Sequence, residues 1–185
     1  MDSQLTLVSF APEVRLFFST DSMKNVTLFL DSAPAYIIST NEQNSCTELR
    51  AAGTGELLAR ITRKDVLPDS IVFPNVNGSK EIRLAKWLKK SKLADGSSTF
   101  GFETEHGTFI LRAHPAHRLA LYKEEDLETP VAYWQPTNAA VPPTLVLQAG
   151  IWSSVRPQII AAFIIRELMM RMREKASHIA LSTSI

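Results

Sequence analysis

The chain has 185 residues, 45% of them hydrophobic and 21% charged, with a formal net charge of +1. That length suits one domain with a substantial core. A charge so near balance excludes a general nucleic-acid binder, which carries a strong basic excess. Cys46 is the only cysteine, so no intrachain disulfide can form. The chain begins Met1-Asp2, without a positive n-region or a small-residue cleavage site. With the lone cysteine, this gives the expectation of a reducing, cytoplasmic compartment.

Residues 1–23 are mildly apolar and irregular, and read as an N-terminal arm, packed on the domain or forming a strand. Short strands follow. Val26 to Leu30 is one, and Asp31-Ser32-Ala33-Pro34 turns the chain into Tyr36 to Ser39. Cys46 to Ala51 pairs across Gly53-Thr54-Gly55 with Leu57 to Thr62. Asp69 to Phe73 is another strand, and Asn77-Gly78 marks the loop after it. Leu84, Trp87 and Leu88 stand at helical spacing, which predicts a short basic helix near 84–90. Thr99 to Thr104 and Thr108 to Ala113 form a hairpin over Glu105-His106-Gly107. Arg118 to Lys123 pairs with Val131 to Trp134 across an acidic loop. Gln135 to Pro143 holds three prolines and is irregular. Thr144 to Gln148 is the last strand.

The long helical pattern comes last, over 155–176. Ile159 to Ile165 is apolar on every face, and such a helix has to be surrounded. Ser153 and Ser154 stand where an N-cap hydroxyl would, and Pro157 falls in the first turn. Past Ile165 the pattern turns amphipathic, and residues 177–185 read as a tail. The uninterrupted apolar run is seven residues, far below the roughly 20 needed to cross a bilayer. No transmembrane span is expected. Many short antiparallel strands lose their edges by closing into a barrel or folding into a sandwich. A wide barrel around this helix satisfies both patterns.

This layout carries a resemblance. Thr27-Leu28-Phe29-Leu30, Tyr36-Ile37-Ile38-Ser39-Thr40, Thr47-Glu48-Leu49-Arg50, Gly55-Glu56-Leu57-Leu58-Ala59-Arg60-Ile61, a lysine-rich segment with Trp87-Leu88, and the apolar C-terminal helix are its elements. Over roughly residues 24–176 the chain resembles an uncharacterised family of small fungal proteins. That family is similar in layout to the tubby C-terminal superfamily, with phospholipid scramblases and LURP-one-related proteins. The resemblance implies a mainly β fold: a closed antiparallel barrel around a central hydrophobic helix. Tubby domains bind phosphoinositide head groups through basic residues on the barrel wall. Scramblases carry a cysteine cluster and a calcium-binding segment, and this chain departs from both.

The candidate site follows from charge. Lys80, Arg83, Lys86, Lys89, Lys90 and Lys92 oppose one acid, Glu81, within thirteen residues. Near an anionic surface each cation contributes roughly 1 kcal/mol. The alternative is a solvated helix face with Trp87 packed on the barrel. Other constellations are weaker. His106, His114 and His117 match no zinc spacing. Glu103 and Glu105 lie on one side of a strand without the burial that acid–base work needs. Cys46 lacks a local Cys-His signature, and Gly53-x-Gly55 is no dinucleotide loop. No cofactor and no catalytic residue is implied. The expectation is a non-enzymatic module, cytoplasmic or peripheral to a membrane, binding phosphoinositide or another anionic partner. Its competitor is a protein-interaction or structural module without a lipid ligand.

Overall fold

The computed structural model describes residues 13–93, 96–137 and 142–182. Thirteen strands occur in chain order: β1 (Val14–Phe18), β2 (Val26–Leu30), β3 (Ala33–Thr40), β4 (Cys46–Ala51), β5 (Leu57–Thr62), β6 (Ser70–Val72), β7 (Ile82–Arg83), β8 (Lys89–Lys92), β9 (Ser98–Thr104), β10 (Gly107–His114), β11 (Arg118–Lys123), β12 (Ala132–Gln135) and β13 (Thr144–Leu147). Helix α1 (Leu84–Trp87) is one turn between β7 and β8, and α2 (Arg156–Ser182) follows β13. All strands join one antiparallel sheet, ordered β7-β6-β5-β4-β3-β2-β1-β13-β12-β11-β10-β9-β8. Neighbours in the sheet are neighbours in the chain except at one place. There β1 pairs with β13, Leu16 opposite Leu145, and stitches the N-terminal run of strands to the C-terminal run.

Alternation with period two explains which face each strand buries. Leu16 and Phe18, Val26 and Leu28, Phe100 and Phe102, Phe109 and Leu111, and Leu145 and Leu147 all face one core. That core also contains every residue of α2 from Ile159 to Ile165, none more than 4% exposed. A helix apolar all round is thus buried all round, as its sequence requires. β11 and β13 lack the alternation because both faces are covered. On β11 the second face is occupied by Tyr122, whose ring lies 4.3 Å beneath the Arg112 guanidinium.

Several expectations change. Of the two readings of residues 1–23, Val14–Phe18 takes that of a strand, central in the sheet; residues 1–12 lie outside the described residues. The helix expected over 155–176 continues through Ser182, so residues 177–182 are helical and not a tail, and 183–185 lie outside the description. The helix expected near 84–90 stops at Trp87, because Lys89–Lys92 instead pairs with β9 as a strand. Ser154 does not cap α2; its hydroxyl donates to Glu105 at 2.9 Å.

The hydrogen-bonded sheet is not a closed barrel. β7 and β8 are its two edges and do not pair with each other. They are consecutive in the chain, with the single turn of α1 between them. Trp87, 8% exposed, fills the gap from inside. Its ring is 5.1 Å from Phe73 on one side and 5.3 Å from Phe102 on the other, and Phe102 stacks on Phe109 at 5.6 Å. Aromatic pairs at such distances contribute about 0.5–1.5 kcal/mol each beyond burial. Trp87 thus packs against Phe73, just after β6, and against Phe102 of β9, the strands next to the two edges.

Candidate anion-binding site

The six basic residues fall at this seam, on three different elements. Lys80 ends the 3-10 turn Asn77–Ser79, Arg83 is in β7, Lys86 is in α1, and Lys89, Lys90 and Lys92 are in β8. All six are exposed. The turn that delivers Lys80 depends on Gly78, whose φ of +64° favours glycine.

The strand in place of a helix changes which cations act together. In β8 successive side chains alternate, so Lys90 and Lys92 share one face and Lys89 takes the other. Lys86 and Lys90 no longer share a helical face. Lys89 is committed, with its Nζ 2.6 Å from Glu103 Oε1, and this pairing holds the Glu103 carboxyl below its usual range. Trp87 is buried and offers nothing to a membrane.

Lys80, Arg83 and Lys86 do converge. With Glu81 and Ile82 they line an open concavity of about 600 Å³. None of the three makes an ion pair or side-chain hydrogen bond among the described residues. The one acid in the group is engaged: Glu81 accepts from the Ser70 hydroxyl and from Lys64 Nζ at 3.1 Å. Both bonds, the Ser70 one foremost, lower its pKa and keep it ionised. A carboxylate neutralised by Lys64 competes weakly for three free cations.

Beside this concavity lies a deeper cavity of about 740 Å³, which shares Lys80 and Ile82 with it. It opens where the N-terminal end of α2 meets the seam, and Ser153, Ser154, Val155 and Gln158 line it. Sequence alone did not single out Gln158. Its only signal there is a lone amide at the head of an apolar helix run.

The remaining sequence candidates are placed as follows. His106 stacks on Trp152 at 3.9 Å, and Glu105 and the Ser154 hydroxyl approach its Nε2 at 3.3 and 3.5 Å. A nucleophile and its orienting acid need opposite ring nitrogens; here both meet the same one. His114 stacks on His117 at 4.8 Å, and His117 on Tyr133 at 4.1 Å. Burial, then the neighbouring His114, push the His117 pKa down. Among the described residues no three His, Cys, Asp or Glu side chains converge as metal ligands. Nor is any described helix long and apolar enough to cross a membrane.

Where α2 leaves the core is a charged network of which sequence showed only one pair. Glu167 is buried at 1% exposure and binds two arginines, Arg118 Nε at 2.8 Å and Arg171 Nε at 2.7 Å. Arg118 also reaches Glu174, and Arg171 reaches Asp21. Only the Glu167–Arg171 pair has the i,i+4 spacing legible in sequence.

An antiparallel β-sheet with a buried C-terminal helix defines the class. Residues 21–172 match a family of unknown function, DUF6593, and the chain belongs to that family. No curated protein and no solved structure matches it.

Proposed function

We propose that the protein is a non-enzymatic binding module that takes a phosphorylated, anionic group, such as a phosphoinositide head group, in the concavity of Lys80, Arg83 and Lys86. In this reading the sheet acts as a tubby-like barrel around α2, with its seam as the binding face, and the protein works as a peripheral membrane component. The observation that carries it is the convergence of three unpaired cations beside an acid already neutralised by Lys64. Phosphate oxygens are the natural partners of such a cluster. Its cations would contribute about 1 kcal/mol each at an anionic surface.

A second observation favours the protein-interaction reading. Past the core, α2 exposes Met169, Met172 and Ile179, at 40%, 69% and 55%. These stand at spacings of three and seven, on one side of the helix.

Co-sedimentation with anionic vesicles at two salt concentrations separates the readings. The wild type should pellet at low salt and less at high salt, because exposed charges are screened over about 8 Å at physiological ionic strength. The combined variant Lys80→Glu, Arg83→Glu, Lys86→Glu should stay in the supernatant with its melting temperature nearly unchanged. Lys90→Glu with Lys92→Glu should retain most of the binding. A wild type that never pellets, whatever the anionic lipid, transfers the function to the exposed face of α2.

A further inference from the structure

The 740 Å³ cavity and the basic concavity meet at Lys80 and Ile82. Their linings differ in character. The larger cavity has an apolar wall of Leu58, Phe73, Val76, Ile82 and Trp87. The two carboxylates on its rim are already engaged, Glu103 by Lys89 and Glu105 by the Ser154 hydroxyl. They leave Lys80 as the free charge at its mouth. The cavity also contains one unsatisfied group. Gln158 is 5% exposed, lines the cavity, and its Oε1 is buried without a hydrogen-bond partner. Buried polar groups are normally paired, and an orphan calls for an explanation. The terminal amide torsion is broad, so a small turn presents the group to the cavity.

A volume of this size is that of a site for one small molecule. The ligand it fits has an apolar arm, a polar hydrogen-bonding group next to it, and an anionic end. We infer that the cavity takes the hydrocarbon chain of a single-chain anionic amphiphile, a monoacyl- or monoalkylglycerol phosphate of the lysophospholipid type. Its phosphate lies among Lys80, Arg83 and Lys86, its chain lies against Trp87 and Val76, and a hydroxyl near the head donates to Gln158. This rests on the anion-binding reading and goes further: the head group supplies charge recognition, and the chain supplies most of the affinity.

Calorimetry with inorganic phosphate and with hexyl, octyl and decyl phosphate, each below its micelle-forming concentration, tests it on the full chain. Burying one methylene raises affinity by about fourfold, so each added pair should tighten binding by roughly tenfold or more. Filling the cavity with Val76→Trp, or separately Leu58→Trp, should flatten the chain-length series while leaving the response to inorganic phosphate in place. Decyl phosphate brominated at the chain end should quench tryptophan emission in Trp152→Phe, which removes the exposed tryptophan next to the cavity, and lose most of that quenching in the double variant Trp87→Phe, Trp152→Phe; this measurement stands even if both cavity-filling variants misfold. Equal affinity along the series, with phosphate still bound, overturns the chain site and leaves the anion site standing. No response to any probe, phosphate included, overturns both. A chain-length dependence that survives in both filled variants, or quenching that survives undiminished in the double variant Trp87→Phe, Trp152→Phe, removes the chain from this cavity.

Discussion

Arg166 and Glu167 are adjacent, both buried, and opposite in their circumstances. Glu167 meets two arginines, Arg118 and Arg171. Arg166 has no carboxylate partner among the described residues. Its guanidinium lies 3.7 Å above the Phe100 ring, its Nε is unpartnered, and burial, with Arg173 nearby, pushes its pKa down to about 10. Removing one member of a buried charge network leaves the others uncompensated, whereas replacing a poorly paired buried charge by an apolar group of similar shape is neutral or stabilising. Glu167→Gln should therefore cost about 3 kcal/mol, and Arg166→Met should cost nothing or stabilise by up to about 1 kcal/mol. Urea denaturation of the two variants reads the difference directly. A larger loss in Arg166→Met than in Glu167→Gln would reverse this account of the pair.

Among the elements, α2 was the most legible in sequence and β8 the least. Seven consecutive apolar residues admit few environments, so the burial of Ile159–Ile165 could be read directly. Most strands could be read too, because Val26–Leu30 or Leu57–Thr62 alternate and are bounded by turn residues. The basic stretch misled because Leu84, Trp87 and Leu88 suit a helix locally. The free edge of β9 then recruits Lys89–Lys92 into the sheet, a tertiary preference that overrides local spacing. The candidate cations were legible by type but not by grouping, since their convergence depends on where the chain turns at Gly78 and Trp87. Gln158 and, beyond the i,i+4 pair Glu167–Arg171, the Glu167 network carry no pattern, because the Arg118 and Asp21 contacts are distant in sequence. The enclosure of α2 leads to a direct prediction. Phe163, 1% exposed, belongs to the apolar core, and a carboxylate there would be buried at high cost, so Phe163→Asp should abolish the cooperative melt. A soluble Phe163→Asp protein with a sharp thermal transition would mean that the helix is not held inside the sheet.

At the scale of the whole molecule, the seam is where the fold meets the proposed anion site. The two edge strands of the sheet, β7 and β8, are linked in the chain by the single turn of α1, and Trp87 of that turn is buried in the core. The turn, the edge strand and the helix that form this junction each bring one cation to it: Lys80, Arg83 and Lys86. The opposite end of α2 is fixed by the Glu167 network, so the molecule has one tied end and one open face. The most direct measurement of this arrangement is amide chemical-shift mapping of the full chain during titration with inositol phosphate. The largest shifts should fall on residues 80–86, and they should vanish in the Lys80→Glu, Arg83→Glu, Lys86→Glu variant while its remaining spectrum stays dispersed. Shifts centred on residues 169–179 of α2, or no shifts at any concentration, would contradict an anion site at the seam.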